Sequence, residues 1–347
     1  MKFHKTKYPS VITLLIIISF SSCGGNKIPT IQSKILHEHD VKRIELAGKI
    51  SERKSELSGL TWYGNQLILL PQFPNKFTYK NGGTIYSIPK EKLQSVILKK
   101  SHEKILPNKI ALYADGLEKF NSNGSGYEAI TFIGDTAFIS IEYMHNGITE
   151  GYLVSGIMSK NKKSLTLNKN TLVKIPLKEH IFNSSCETIV NYKNNIYGIF
   201  EANGKNVNPH PVAYEFDKKL NFLRFINFPS IEYRITDATE VDSEGNFWVI
   251  NYFYPGDKKL LKPSVDSISI KYGIGKTNAL SRTVERLVKL KINKGRIIET
   301  NSPPLYLKLD IDKPSRNWEG IAKFDNLGFL IVTDTYPETI LAFVKLP

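Results

Sequence analysis

The residues in this chain best suited to chemistry are acids that recur in two rows. One row reads Ser58, Glu128, Glu187, Asp237 and Glu319, and the other reads Gln72, Glu142, Glu201, Asn251 and Asp334. Each member sits beside a short apolar run, where a carboxylate is costly to bury without a partner. If the rows face one axis, they form a ring of carboxylate and amide oxygens. Such a ring suits a hard cation, and Ca²⁺, which takes six to eight oxygen ligands, is the cation expected. In that arrangement Glu128, Glu187, Asp237 and Glu319 hold the ion, which polarises a substrate and acidifies a bound water, and Glu142, Glu201 or Asp334 serves as the base. Arg234 and Arg316, each three residues before a first-row acid, are placed to grip an anionic group. The competing reading is architectural: each acid accepts hydrogen bonds from backbone N–H groups of a neighbouring repeat.

Convergence requires a fold that repeats about an axis, and the elements around the acids repeat. Five segments read as strand, tight turn, strand: Ser58–Leu70, Glu128–Glu142, Glu187–Glu201, Asp237–Asn251 and Glu319–Asp334. Their turns, such as Gly64-Asn65, Gly134-Asp135 and Ser243-Glu244-Gly245-Asn246, are built from residues that tolerate positive φ or bond their own backbone. Further β-like stretches follow, including Gly83–Ile88, Val212–Phe216 and Val288–Ile292, which makes each unit a four-stranded sheet. The unit starts lie 70, 59, 50 and 82 residues apart, a spacing too irregular for a solenoid. The expectation is an all-β fold, a β-propeller of five or six four-stranded blades, with the 82-residue interval able to hide a sixth. The last strand, Thr339–Val344, and an early stretch, Val41–Leu46, are expected to share a blade and close the ring, removing free sheet edges.

Arg316-Asn317-Trp318-Glu319-Gly320-Ile321-Ala322, followed by Gly328–Asp334, resembles the last blade of the phytase-like, "esterase-like activity of phytase" β-propeller family. Ser58-Gly59-Leu60-Thr61-Trp62 and Tyr127-Glu128-Ala129-Ile130 are similar to its earlier strands, so the likeness runs from about residue 55 to the end. The resemblance implies an exported hydrolase of phosphate or carboxylic esters. Two other functions fit the same frame. A sugar-lactone hydrolase would share the cation site, and a non-catalytic binding propeller would present aromatic loops such as Tyr252–Pro255 or Phe73–Phe77.

The ends of the chain set its place in the cell. Lys2, Lys5 and Lys7 precede the apolar run Val11–Phe20, which has the length of a signal segment and is too short to span a bilayer. The run ends in Phe20-Ser21-Ser22-Cys23-Gly24-Gly25, which resembles a lipoprotein cleavage box. Residues 1–22 are therefore expected to be removed, Cys23 to carry several acyl chains, residues 23–36 to form a polar tether, and residues 37–347 to form the propeller, held at the cell envelope outside the cytoplasm. With Cys23 lipidated only Cys186 remains, so no intramolecular disulfide forms.

The formal charge of +14 falls to about +11 without the three leading lysines, which favours an anionic small molecule, an envelope polymer or a lipid surface as partner. The lysines are scattered, so nucleic acid is not an expected partner. Gly273-Ile274-Gly275-Lys276-Thr277 has the tail of a phosphate loop without its first glycine and reads as a plain loop. His37-Glu38-His39-Asp40 reads as a solvated polar stretch, and Cys186 as a small buried core residue.

Overall fold

The computed structural model describes residues 34–77, 82–120 and 125–346. The expected signal segment, Cys23 and most of the tether lie outside the described residues. Among the described residues, no helix is long and apolar enough to cross a membrane.

The strands form five four-stranded antiparallel blades. Blade one is Leu57–Tyr63, Gln66–Pro71, Gly83–Pro89 and Asn108–Tyr113, and blade two is Gly126–Ile133, Thr136–His145, Ile148–Met158 and Ser164–Lys174. Blade three is Thr188–Tyr192, Asn195–Ile199, Val212–Asp217 and Phe222–Asn227. Blade four is Arg234–Ala238, Asn246–Phe253, Val284–Asn293 and Arg296–Glu299. Blade five takes Trp318–Phe324, Gly328–Thr333 and Leu341–Lys345 from the end of the chain and Val41–Ile44 from its beginning. Ile44 pairs with Leu341 and Val41 with Val344, so the two ends share one blade. Among the described residues the blade count is five, with the first strand of each blade innermost and packed against its counterparts on both sides.

The 82-residue interval holds no sixth blade. Between the second and third strands of blade four the chain instead makes an insertion of short helices, Lys258–Leu261, Ser267–Tyr272 and Lys276–Leu280. Ile35–Leu36, at the end of the expected tether, pairs in parallel with Ile274–Gly275 of that insertion. The Glu38 carboxylate then accepts from Thr277 N and Oγ1 at 2.8 Å each and from Asn278 N and Nδ2 at 3.1 and 3.0 Å. The polar stretch at residues 37–40 is thus tied into the fold, and Gly273–Thr277 is a short strand and helix start that clasps Glu38 rather than a plain loop. A buried or half-buried carboxylate needs donors, and the free N–H groups of a helix start supply them.

Apolar faces fill the spaces between blades. Leu60, Leu69, Tyr86, Phe324 and Leu330 join blades five and one, while Ala129, Phe138, Cys186, Ile189 and Phe200 join blades two and three. Cys186 is a buried core residue, as expected.

One irregularity recurs where it matters for the axis. The innermost hairpin skips a residue at Ser58 in blade one, Glu128 in blade two and Glu319 in blade five. Each is a β-bulge, which leaves a residue out of the ladder and re-aims its side chain. Gly320, next to the last bulge, is required by close approach: a Cβ there would lie 2.6 Å from Val332 Cγ1 and 3.0 Å from Leu60 Cγ.

Candidate active site at the propeller axis

The bulged residues and the ends of the second strands bring carboxyl groups together at one mouth of the axis. Glu128, Glu142, Glu187 and Glu201 are buried, and Glu319 and Asp334 are half-buried. A cation sits among them. Arg234 donates from Nη1 to Glu201 and from Nε to Asp257 Oδ2 at 2.9 Å, with 14 % of its side chain exposed.

The electrostatics follow from burial. Desolvation pushes Glu128 up to about 7, with Glu201 and Asp334 adding to the rise and Gln72 Nε2, bonded at 3.0 and 3.3 Å, opposing it. Glu142 and Glu187 are held well above the usual carboxylate range by burial first and then by neighbouring acids. Glu319 is raised in the same way, with Asp334 and Glu128 as its strongest repelling neighbours. Asp334 is raised by desolvation against the donors Tyr336 N and Asn317. Burial alone would lower Arg234, but Glu201, Glu187, Asp257 and Glu319 outweigh it and hold the guanidinium charged.

Several oxygens here have no partner. Glu142 Oε2, Glu187 Oε2 and Glu201 Oε2 are buried without a hydrogen bond, as are the Ser184, Ser185 and Thr188 hydroxyls. A buried acceptor left alone costs about 1–3 kcal/mol, so the site carries a deficit of donors or positive charge. The donor set is therefore of the kind a hard cation takes. The spacing is not that of a closed cation cage, since among the described residues no three Asp, Glu, His or Cys side chains stand close enough to hold one ion.

The axis gathers Glu128, Glu142, Glu187, Glu201, Glu319, Asp334 and Arg234, and leaves out two expected members. Asp237 lies elsewhere along the inner strands, where its Oδ2 accepts from Ile321 N at 2.8 Å and Leu60 N at 3.4 Å, and so ties three blades together. Its role in position is the architectural one. Arg316 turns away from the mouth because Glu285, buried at 1 % exposure, needs a cation. Arg316 Nε and Trp318 Nε1 donate to Glu285 Oε2 at 3.0 and 2.7 Å, and Arg316 N donates to Oε1 at 3.0 Å. Arg316 lines a separate cavity of about 800 Å³ shared with Arg43, Lys308 and Ile340.

The sequence pattern did not single out Asp257 or Asn317. Asn317 Nδ2 donates to Glu319 and its carbonyl accepts from Asp334 N at 3.1 Å, so it links both rows within blade five. Its place directly before Trp318-Glu319 was the available signal. Asp257 belongs to the insertion, which has no counterpart in the other repeats to compare it with.

No protein-family model matches the chain, and no curated protein matches it in sequence. Solved structures match it in fold at low identity. A candidate glycoside hydrolase from Parabacteroides distasonis aligns with 10 % identity over 91 % of this chain and 95 % of that one, TM-score 0.47. The catalytic domain of a GH62 α-L-arabinofuranosidase from Coprinopsis cinerea aligns with 6 % identity over 90 % and 98 %, TM-score 0.46. A glucose dehydrogenase aligns with 8 % identity over 88 % and 99 %, TM-score 0.44. These proteins catalyse different reactions, and the chemistry of this chain is argued from its own site. The chain is an all-β, five-bladed propeller with an acidic axial mouth.

Proposed function

We infer that the protein is a hydrolase that works at the axial mouth, exported and tethered by lipid on Cys23, and that its substrate is an anionic ester of the phosphate or carboxylic class. The phytase-like resemblance of Arg316–Asp334 suggests that ester class. The observation that carries the reading is the group of buried carboxyls, three of them with unpartnered oxygens, gathered around Arg234. A site made only for stability would pair these groups.

The chain's own residues divide the work. Arg234 spends Nε and Nη1 on Asp257 and Glu201, which leaves Nη2 to donate to an anionic substrate group. Glu128, near 7, can both take a proton from water and return it to a leaving oxygen at neutral pH. Glu142 and Glu187, held well above the usual carboxylate range by burial and neighbouring acids, are the groups of the mouth best suited to donate a proton. Glu201 and Asp334 remain as the second-row bases. Ca²⁺ bound here would supply polarisation of the ester and a more acidic water; the acceptors open to it are the unpartnered oxygens of Glu142, Glu187 and Glu201, which do not stand around one point.

A second reading rests on the spacing of the acids. With no three of them arranged around one ion, a pair of carboxyls could cleave a glycosidic bond without metal, one as acid and one as base or nucleophile. One experiment separates the readings. Purified protein is assayed on phosphate-ester, carboxylic-ester, lactone and aryl-glycoside substrates, with Ca²⁺ or with EDTA. Ester turnover that needs Ca²⁺ and falls at least about a hundredfold in Glu128→Gln supports the first reading. EDTA-insensitive glycoside turnover supports the second. Absence of turnover on every substrate overturns both and leaves an envelope-binding propeller.

A further inference from the structure

The insertion in blade four, which replaces the sixth blade the sequence allowed, carries two acids that each hold an arginine. Asp257 takes Arg234 directly. Asp266, the N-cap of Ser267–Tyr272, takes Arg286 in a two-pronged contact, with Arg286 Nη1 to Oδ2 at 2.6 Å and Nη2 to Oδ1 at 2.9 Å. Arg286 is fully buried, and its Nη1 also donates to Tyr306 Oη at 3.0 Å. Its Nε donates to Asn251 Oδ1 at 2.8 Å.

This last contact has a directional consequence. A guanidinium N–H can only donate, so Asn251 must present its oxygen to Arg286 and its amide nitrogen to the other side. There Asn251 Nδ2 donates to Glu232 O at 2.9 Å and Arg234 O at 3.0 Å. Those carbonyls bracket the backbone that launches the Arg234 side chain. Asn251 is also the one amide at the second-row position of blades two to five, where the other three carry Glu142, Glu201 and Asp334. A carboxylate there would accept from Arg286 but could not donate to the two carbonyls.

We propose that the insertion is a positioning device for the axial site: Asp266 fixes Arg286, Arg286 fixes the orientation of the Asn251 amide, and Asn251 fixes the main chain of Arg234, whose head Asp257 then aims at Glu201. Asp266, Arg286 and Asn251 are positioning residues, acting on Arg234 without touching substrate. The proposal takes from the hydrolase reading only the identity of Arg234 as the substrate-gripping group.

The test reads Arg234 itself and needs no turnover. Arginine side-chain N–H exchange is followed by NMR in the full chain and in the variants Arg286→Lys and Asp266→Asn. Lysine keeps the charge but cannot hold Asp266 with two prongs and Asn251 at once. The expected result is that Arg234 Nε–H exchange quickens about ten- to a hundredfold while backbone amides of Phe138–Ile141 in blade two keep their rates. Unchanged Arg234 exchange, or an equal acceleration of the blade-two amides, overturns the proposal by making the network merely structural. Should neither variant fold, the unmodified chain decides: a protected Asn251 side-chain amide supports the relay, and one that exchanges as fast as a free amide ends it. If exchange behaves as expected and no substrate is turned over, the hydrolase reading fails and the relay stands. Where a substrate is found, the variants raise KM and lower kcat/KM if Arg234 has lost its aim.

Discussion

Replacing Glu128 by Gln gives the sharpest check on the electrostatics of the axial mouth. Glu128 is 3 % exposed and its folded-state pKa is raised to about 7 from an ordinary 4.5, chiefly by desolvation. A carboxyl raised in this way stabilises the fold fully below about pH 4.5, and that contribution is lost as the pH climbs toward about 7, because the native state must then ionise a buried group. A rise from 4.5 to about 7 corresponds to about 3.4 kcal/mol. For a domain of roughly 300 residues the unfolding entropy near the midpoint is about 0.6 kcal/mol per degree, so the contribution converts to about 5 °C. Gln keeps the shape and has no proton to lose. Calorimetric scans from about pH 4 to about pH 8 in EDTA, where protons rather than cations set the charge, should therefore show the unmodified protein losing about 5 °C relative to Glu128→Gln. Curves that stay parallel within about a degree would refute the burial argument, and with it the assignment of Glu128 as a proton carrier at neutral pH.

Three further perturbations separate architecture from chemistry. Asp237→Ala leaves Ile321 N and Leu60 N without their shared acceptor and should cost about 2–5 kcal/mol in urea unfolding, with little change in kcat per folded molecule. Arg234→Met strands Glu201 and Asp257, so it should lower stability by about 3–5 kcal/mol at neutral pH and abolish turnover of any substrate the unmodified chain hydrolyses. Ile44→Asp puts a charge into the closing strand opposite Leu341. It should cost more than about 2 kcal/mol and shift the protein toward aggregates on size exclusion, because the freed strand edge is open to pairing.

The hairpins and the closure of the ring were legible because both are written locally. Gly64-Asn65 and Gly134-Asp135 sit between alternating apolar runs, and Val41–Ile44 and Leu341–Lys345 are β-rich stretches at the two ends that find each other in blade five. The fate of the two arginines was not legible. Arg234 and Arg316 occupy the same place relative to a following acid, yet one enters the axial mouth and the other leaves it. The deciding group for Arg316 is Glu285, about 30 residues earlier on the third strand of blade four, whose burial demands a cation whatever the spacing of the repeat suggests. Asp257 and Asp266 were invisible for a related reason. An insertion present in one blade has no sister segments, and the signal used throughout was recurrence.

The misplacement of Asp237 has a more precise origin in the bulges. Ser58 Oγ donates to Tyr127 O at 2.6 Å, the carbonyl just before the first-row acid of the next blade. Thr236 Oγ1 donates to Trp318 O, also at 2.6 Å, the carbonyl just before Glu319. Thr236, not Asp237, is therefore the counterpart of Ser58, and the irregularity in blade four spans both residues, between Ile235 and Ala238. Alignment by residue type put the acid in register and the hydroxyl out of it, when the backbone does the reverse. With the register corrected, the first row reads Ser58, Glu128, Glu187, Thr236 and Glu319. Blades one and four fill the position with a hydroxyl that is spent on the next inner strand, blade two with a carboxyl held by Gln72 of blade one, and blades three and five with carboxyls that make no such tie among the described residues. A repeat used only to hold blades together would need the tie in all five. That blades two, three and five place ionisable groups at this point, and leave the tie of blades three and five unmade, is the observation on which the proposed axial site rests.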